Sequence, residues 1–171
     1  MKLEVIASDE LRKFGLPEFK TDGAAAIDLR ALLNSPDTQF NGMNVSEFVY
    51  EGEETRVKSL IIHPGEQIKV DSGLKIHINS RSHVGLMFPR SSMGSKGLVL
   101  ANGTGVIDSD YQGPLIMVLW NRSNAPITIN DGDRVAQYML TSAFQFDMKY
   151  VEQFSDSSER GEGGFGSTGA Q

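Results

Sequence analysis

The C-terminal residues hold the densest concentration of groups able to do chemistry. Arg160-Gly161-Glu162-Gly163-Gly164-Phe165-Gly166-Ser167-Thr168-Gly169 combines five glycines with one arginine, one aromatic ring and two hydroxyls. Glycine permits positive φ and close backbone approach, so such a segment stays mobile until something orders it. Folded over an anion, its N–H groups and the Arg160 guanidinium suit phosphate oxygens. Phe165 offers a flat face on which a nucleobase can stack. Taken alone, the same composition also describes a flexible low-complexity terminus.

Three other clusters can work with that tail. Pro89-Arg90-Ser91-Ser92-Met93-Gly94-Ser95-Lys96-Gly97 follows an apolar run, and a strand feeding a Ser/Gly-rich turn aims N–H groups and hydroxyls at an anion. Arg90 adds a bidentate donor and Lys96 a point charge. Asn102-Gly103-Thr104-Gly105-Val106-Ile107-Asp108 through Tyr111-Gln112-Gly113 reads as a β-hairpin whose backbone can approach a flat ligand closely. Asp108 supplies a carboxylate there and Tyr111 an aromatic wall, although an aspartate in such a place, read alone, is more often an ordinary turn residue. Asp131-Gly132-Asp133-Arg134-Val135-Ala136-Gln137 is a tight turn entering a strand, and a Gln137 amide behind two small apolar residues needs hydrogen-bond partners.

Composition excludes several alternatives. There is no cysteine, so disulfides and thiolate metal sites are ruled out. His63, His77 and His83 have no metal-ligand spacing, and no GxSxG nucleophile accompanies them. The formal net charge of −6 argues against general nucleic-acid binding, while leaving room for a small anion held by placed arginines and a divalent cation. Met1 to Phe14 mixes charges among its apolar residues and has neither signal- nor transit-peptide character, and no apolar run approaches membrane-spanning length. The expectation is a cytoplasmic protein without membrane association.

The elements that must position these groups are short strands. Leu3–Ala7, Leu60–Ile62, Gln67–Val70, Gly73–Ile78, Val84–Phe88, Leu98–Leu100, Leu115–Trp120, Ile127–Ile129, Ala136–Leu140 and Phe144–Val151 all show strand patterns. Turn signals lie between them at Pro64-Gly65, Asp71-Ser72-Gly73, Asn102-Gly103, Asn124-Ala125-Pro126 and Asp131-Gly132. This rhythm predicts an all-β fold, a small barrel or jelly roll. Leu115 to Trp120 is apolar throughout, which suits a strand covered on both faces, the second cover being another subunit. Asn34 to Lys58 breaks the pattern with polar residues and an acidic cluster at Glu51, Glu53 and Glu54. Asn44-Val45-Ser46-Glu47 fits a capping box, and Val45, Phe48 and Val49 share a helical face, which predicts a surface excursion holding a short helix. It reads either as a tolerated loop or as a docking surface for a protein partner.

Taken in order, these clusters resemble the trimeric dUTP pyrophosphatase (dUTPase) family. Ala25-Ala26-Ile27-Asp28-Leu29 is similar to its first motif, Pro89-Arg90-Ser91-Ser92 to the second and Gly105-Val106-Ile107-Asp108 through Gly113 to the third. Gly132-Asp133-Arg134-Val135-Ala136-Gln137 is similar to the fourth and the Arg160 to Gly169 tail to the fifth. Ala26, Ile27 and Pro114 depart from the usual motif residues, at positions that carry no chemistry in the family, and the excursion is longer than in compact members. The resemblance implies one dUTPase-like domain over residues 1–153, with an insertion at 34–58 and a Gly-rich lid over 154–171.

It further implies hydrolysis of dUTP to dUMP and pyrophosphate with Mg²⁺, which limits uracil in DNA and supplies dUMP for dTMP synthesis. Asp108 corresponds to the water-activating aspartate, Ser91 to the group meeting the bridging oxygen, and Arg90 and Gln137 to phosphate contacts, with Ser92 beside them. Asn102, Gly105, Val106 and Ile107 would read uracil through the backbone, and Tyr111 would lie against the sugar. Arg160, Phe165, Gly166, Ser167 and Thr168 would close over the substrate. Mg²⁺ would be held by phosphates and water, with no direct protein ligand, and Asp28 would reach its water or Arg134. Three chains would build each site in a homotrimer. A dCTP deaminase shares the fold but needs a glutamate where this chain has Val118. The alternative from another class is a nucleotide-binding scaffold whose 34–58 excursion holds a protein partner.

Overall fold

A computed structural model describes residues 1–39 and 56–164, together with the backbone of residues 47–50. The chain opens with β1 (Glu4–Ala7) and a single helical turn α1 (Asp9–Lys13), started by Ser8, whose Oγ accepts from the Leu11 N–H at 3.2 Å. The strands β2 (Ile27–Arg30), β3 (Glu47–Tyr50), β4 (Val57–Ile62), β5 (Gln67–His77) and β6 (His83–Pro89) follow. A short turn α2 (Ser91–Gly94) leads to β7 (Leu98–Leu100), β8 (Gly105–Ile107), β9 (Pro114–Asn121), β10 (Ile127–Asn130) and β11 (Arg134–Ser142).

They form three antiparallel sheets around one core, in the orders β1-β5-β9-β7, β10-β4-β3 and β2-β11-β6-β8. The expected all-β class stands, built from sheets that meet over shared side chains rather than one continuous ladder. Leu115, Met117 and Leu119 of β9 point into the core with Ile68, Val70, Leu60, Leu29 and Val135, all essentially inaccessible to water. The other face of β9, with Ile116, Val118 and Trp120, is only half covered within one chain. No helix among the described residues is long and apolar enough to cross a membrane.

Four local expectations are corrected. The helix expected around residues 44–49 does not form at its described end: Glu47–Tyr50 is a strand, with Glu47 opposite Ile61 and Phe48 opposite Leu60. An open edge on β4 gives consecutive β-formers a ladder of hydrogen bonds, which outweighs a weak capping signal. Asn44, Val45 and Ser46 lie outside the described residues. The turn expected at Asp71-Ser72-Gly73 is a bulge inside one long strand. Asp71, buried, accepts from Gly73 N–H at 2.9 Å and Ser35 Oγ at 2.6 Å, while Gly73 takes φ +73°. The hairpin expected over 102–113 is absent, because β7 pairs with β9 and β8 with β6, in different sheets. Finally, Phe144–Val151 forms no strand; its large apolar side chains stand in the open rather than joining a sheet of their own chain.

Candidate active site

The centre of the site is a carboxylate gripped by two arginines. Asp28 on β2 lies opposite Gln137 on β11, and Gln137 in turn lies opposite Phe88 on β6, so three strands converge there. Asp28 Oδ1 meets Arg90 Nε at 2.7 Å and Oδ2 meets Arg134 Nη1 at 2.9 Å. Arg90 Nη1 also donates to the Arg134 carbonyl at 3.2 Å, and its own N–H to the Val135 carbonyl at 3.2 Å. A register shift between Arg134 and Ala136 turns β11 locally and sets Arg134 beside Asp28. The Gln137 amide has its expected partner, donating to the Pro89 carbonyl at 3.1 Å.

One carboxylate between two guanidiniums leaves a net positive charge. Arg90 uses two of its five N–H donors on Asp28 and Arg134, leaving a fork for an incoming anion. Ser91 and Ser92 follow immediately, exposed at the start of α2. The turn's bonds run from the Met93 and Gly94 N–H groups back to the Arg90 carbonyl, so those of Ser91 and Ser92 precede the first helical bond. Asp28, Arg90, Ser91, Ser92, Arg134 and Gln137 thus form one polar, phosphate-sized corner.

A second corner is built by β8. Its register against β6 sets Gly105 opposite Met87, and a Cβ there would lie 2.7 Å from the Met87 methyl carbon and press on that side chain. Among the described residues the other edge of β8 is unpaired. Val106, Ile107, Asp108, Tyr111, Pro114 and Ile116 line a cleft of about 180 Å³, with Asp108 exposed at its rim. Tyr111 folds its ring over Gly113 and donates from its hydroxyl to the Pro114 carbonyl at 3.0 Å. Asn102 lies exposed in the turn that leads into β8.

The two corners do not meet within one chain. Asp108 lies one residue past the Gly85–Ile107 pair, whereas Arg90 lies beyond the opposite end of β6. Six extended residues at about 3.3 Å each put roughly 20 Å between those levels. The described part of the tail joins neither corner: Arg160 Nε donates to the Gly163 carbonyl at 2.8 Å, within its own exposed turn. Phe165, Gly166, Ser167 and Thr168 lie outside the described residues.

A family model described as dUTPase matches residues 56–169. The deoxyuridine 5'-triphosphate nucleotidohydrolase of Shewanella loihica is 38% identical over 172 residues, covering all of this chain and 97% of that protein. That of Paraburkholderia phymatum is 39% identical, covering 99% of both. The chain belongs to the dUTPase family. Among solved structures, the dUTPase of Staphylococcus bacteriophage 80alpha with dUPNHPP is 25% identical, with a TM-score of 0.72 and 98% of each chain covered. The dUTPase of phage phi11 of S. aureus, at 21% identity and a TM-score of 0.66 over 91% of this chain, shares the fold.

Within this dUTPase the sequence reading missed one contact, the grip of Arg90 on Asp28, since it assigned Asp28 to metal-bound water or to Arg134. No signal in the sequence pointed to it, since Asp28 and Arg90 lie far apart along the chain. Among the described residues no group of three or more acidic or histidine side chains is arranged to hold a metal.

Proposed function

We propose that this chain hydrolyses dUTP to dUMP and pyrophosphate, in a homotrimer whose sites each draw on more than one copy. The observation that carries the reading is the pair of complementary corners: an anion fork at Asp28, Arg90 and Arg134, and a nucleoside-sized cleft at β8 with Asp108 on its rim. In-line attack needs water within about 3–3.5 Å of phosphorus, far less than the separation along β6. A neighbour's β8 corner brought against this chain's Arg90 corner satisfies that requirement. The half-covered face of β9 and the exposed segment after β11 provide surface for such contacts.

The unpaired edge of β8 offers backbone N–H and C=O groups to uracil's O4 and N3–H, a pattern that cytosine would meet with the wrong donors. A close approach of the base to the Gly105 backbone would leave no room for thymine's 5-methyl group. Tyr111 walls the sugar and crowds a ribose 2′-hydroxyl. Asp108 orients the attacking water; a carboxylate is a weak base at neutral pH, so placement contributes more than proton affinity. Arg90, Gln137 and Ser91 hold the phosphates and receive charge as it moves to the bridging oxygen. Bound through the phosphate oxygens, Mg²⁺ supplies neutralisation of their charge. The tail from residue 154 then closes, with Phe165 on the base, Arg160 on the γ-phosphate, and Gly166, Ser167 and Thr168 on the remaining oxygens.

The test is pyrophosphate release from dUTP, dTTP, dCTP and UTP, with Mg²⁺ and with chelator. Mg²⁺-dependent turnover of dUTP alone is expected. Inactivity of folded protein towards dUTP would overturn the reading and leave a binding scaffold. Truncation before Arg160 is expected to keep the fold and lose most activity. A second role at the excursion is favoured by β3, which among the described residues is an edge strand of its sheet; deleting residues 37–56 and measuring both turnover and pull-down partners separates the two roles.

A further inference from the structure

The excursion leaves and rejoins the fold at one hydrogen-bonded cluster. The Asn34 side chain binds both backbone groups of Val57, its Nδ2 donating to the carbonyl at 2.9 Å and its Oδ1 accepting from the N–H at 2.8 Å. A side-chain amide thereby replaces a strand pair and closes the base of the excursion. The same Nδ2 donates to Asp131 Oδ2 at 2.8 Å. Asp131 Oδ1 accepts from the Leu33 N–H at 2.8 Å, and Oδ2 faces Arg56 at 3.3 Å. Arg56 continues to Glu10 on α1 at 2.8 Å. A single carboxylate, only 11% exposed, therefore holds both feet of the excursion.

Three residues further on stands Arg134. The intervening turn is built without the Asp131 carboxylate: Asp133 Oδ2 accepts from the Asn130 N–H at 2.8 Å, and Gly132 supplies φ +85° with its Cα against the Phe14 ring. The turn is fastened to β2 by Gly132 N–H to the Ala31 carbonyl at 2.8 Å, and by Arg30 Nη1 to the Gly132 carbonyl at 2.7 Å. Asp133 and Gly132 shape the turn, and the Asp131 side chain points away from it to the excursion.

We propose that Asp131 is a positioning residue for the phosphate corner: it ties the 131–133 turn to the base of the excursion, so that movement of the excursion is felt at Arg134 and hence at Asp28. The proposal rests on reading that corner as the dUTP phosphate site. A ligand or protein that displaced the excursion would then alter turnover without touching substrate.

Steady-state kinetics on Asp131→Ala, Arg134→Lys and the double variant test it. Asp131→Ala is expected to lower kcat for dUTP about tenfold while KM moves less than about twofold. The double variant is expected to be no slower than Arg134→Lys alone, because both changes act through one guanidinium. Unchanged kcat in folded Asp131→Ala, or losses that multiply in the double variant, would overturn the proposal. Asp131→Asn, which keeps an acceptor for Leu33, replaces Asp131→Ala in the cycle if the alanine variant does not fold. Hydrogen exchange gives a readout independent of activity: Asp131→Asn should speed exchange across residues 133–137 at least about tenfold. Unchanged exchange there would refute the coupling even if the protein did not hydrolyse dUTP, whereas faster exchange in a protein inactive on dUTP would refute only the functional reading.

Discussion

Asp28 does at the residue scale what no local motif announces: it keeps two like-charged guanidiniums side by side. An amide in its place removes the charge that allows Arg90 and Arg134 to share one corner. Asp28→Asn is therefore expected to lower kcat/KM for dUTP by about 10- to 100-fold, the range usual for groups that orient a site from behind its direct contacts. Pyrophosphate release measures it, and an unchanged value would remove Asp28 from the site. The residues of this corner were legible because each sits in a distinctive short context, Pro-Arg-Ser-Ser or Gly-Asp-Arg-Val-Ala-Gln. Their pairing was not, since an ion pair between β2 and the end of β6 leaves no trace in spacing along the chain. The Asn34–Asp131–Arg56 cluster escaped notice for the same reason.

At the scale of elements, strand positions were mostly readable and their interruptions were not. Asp71-Ser72-Gly73 carries the composition of a turn, yet Asp71 satisfies the Gly73 N–H within the strand and the chain runs straight on. Gly73→Ala would place a Cβ about 2.5 Å from a Leu32 methyl at φ +73°. A loss of roughly 2–4 kcal/mol follows from the left-handed backbone together with overpacking, and denaturant unfolding measures it. α1 allows a pH test. Lys13 and then Arg56 hold the Glu10 carboxyl below its ordinary value of 4.5. A depressed acid stabilises the fold above its unfolded pKa and loses that contribution as pH falls through the folded one. Glu10→Gln should therefore melt slightly lower than the unchanged protein at pH 7, with the gap closing as the pH is taken down below 4.5. A gap that widened in acid would contradict the assignment.

For the whole molecule, the separation of Asp108 from Arg90 would, on the proposed function, make activity a property of the assembly. Asp108→Asn and Arg90→Ala should each be nearly inactive alone. Mixed in equal amounts, unfolded and refolded together, they should regain about a quarter of full activity, because each site then has one chance in two of drawing each group from an intact copy. No recovery in mixed trimers would mean that both groups come from one chain. Period two in Phe144, Phe146, Met148 and Tyr150 pointed to a strand, and a pattern of alternation specifies which face is apolar without specifying whose sheet receives it. A newly synthesised copy accordingly emerges with six large apolar side chains between residues 144 and 154 exposed to solvent. Productive encounter and aggregation are both collisions between such copies, so raising expression accelerates the two alike. The soluble yield of this protein is then governed by temperature and chaperone supply, which weaken or mask apolar adhesion, more than by how much of it is made.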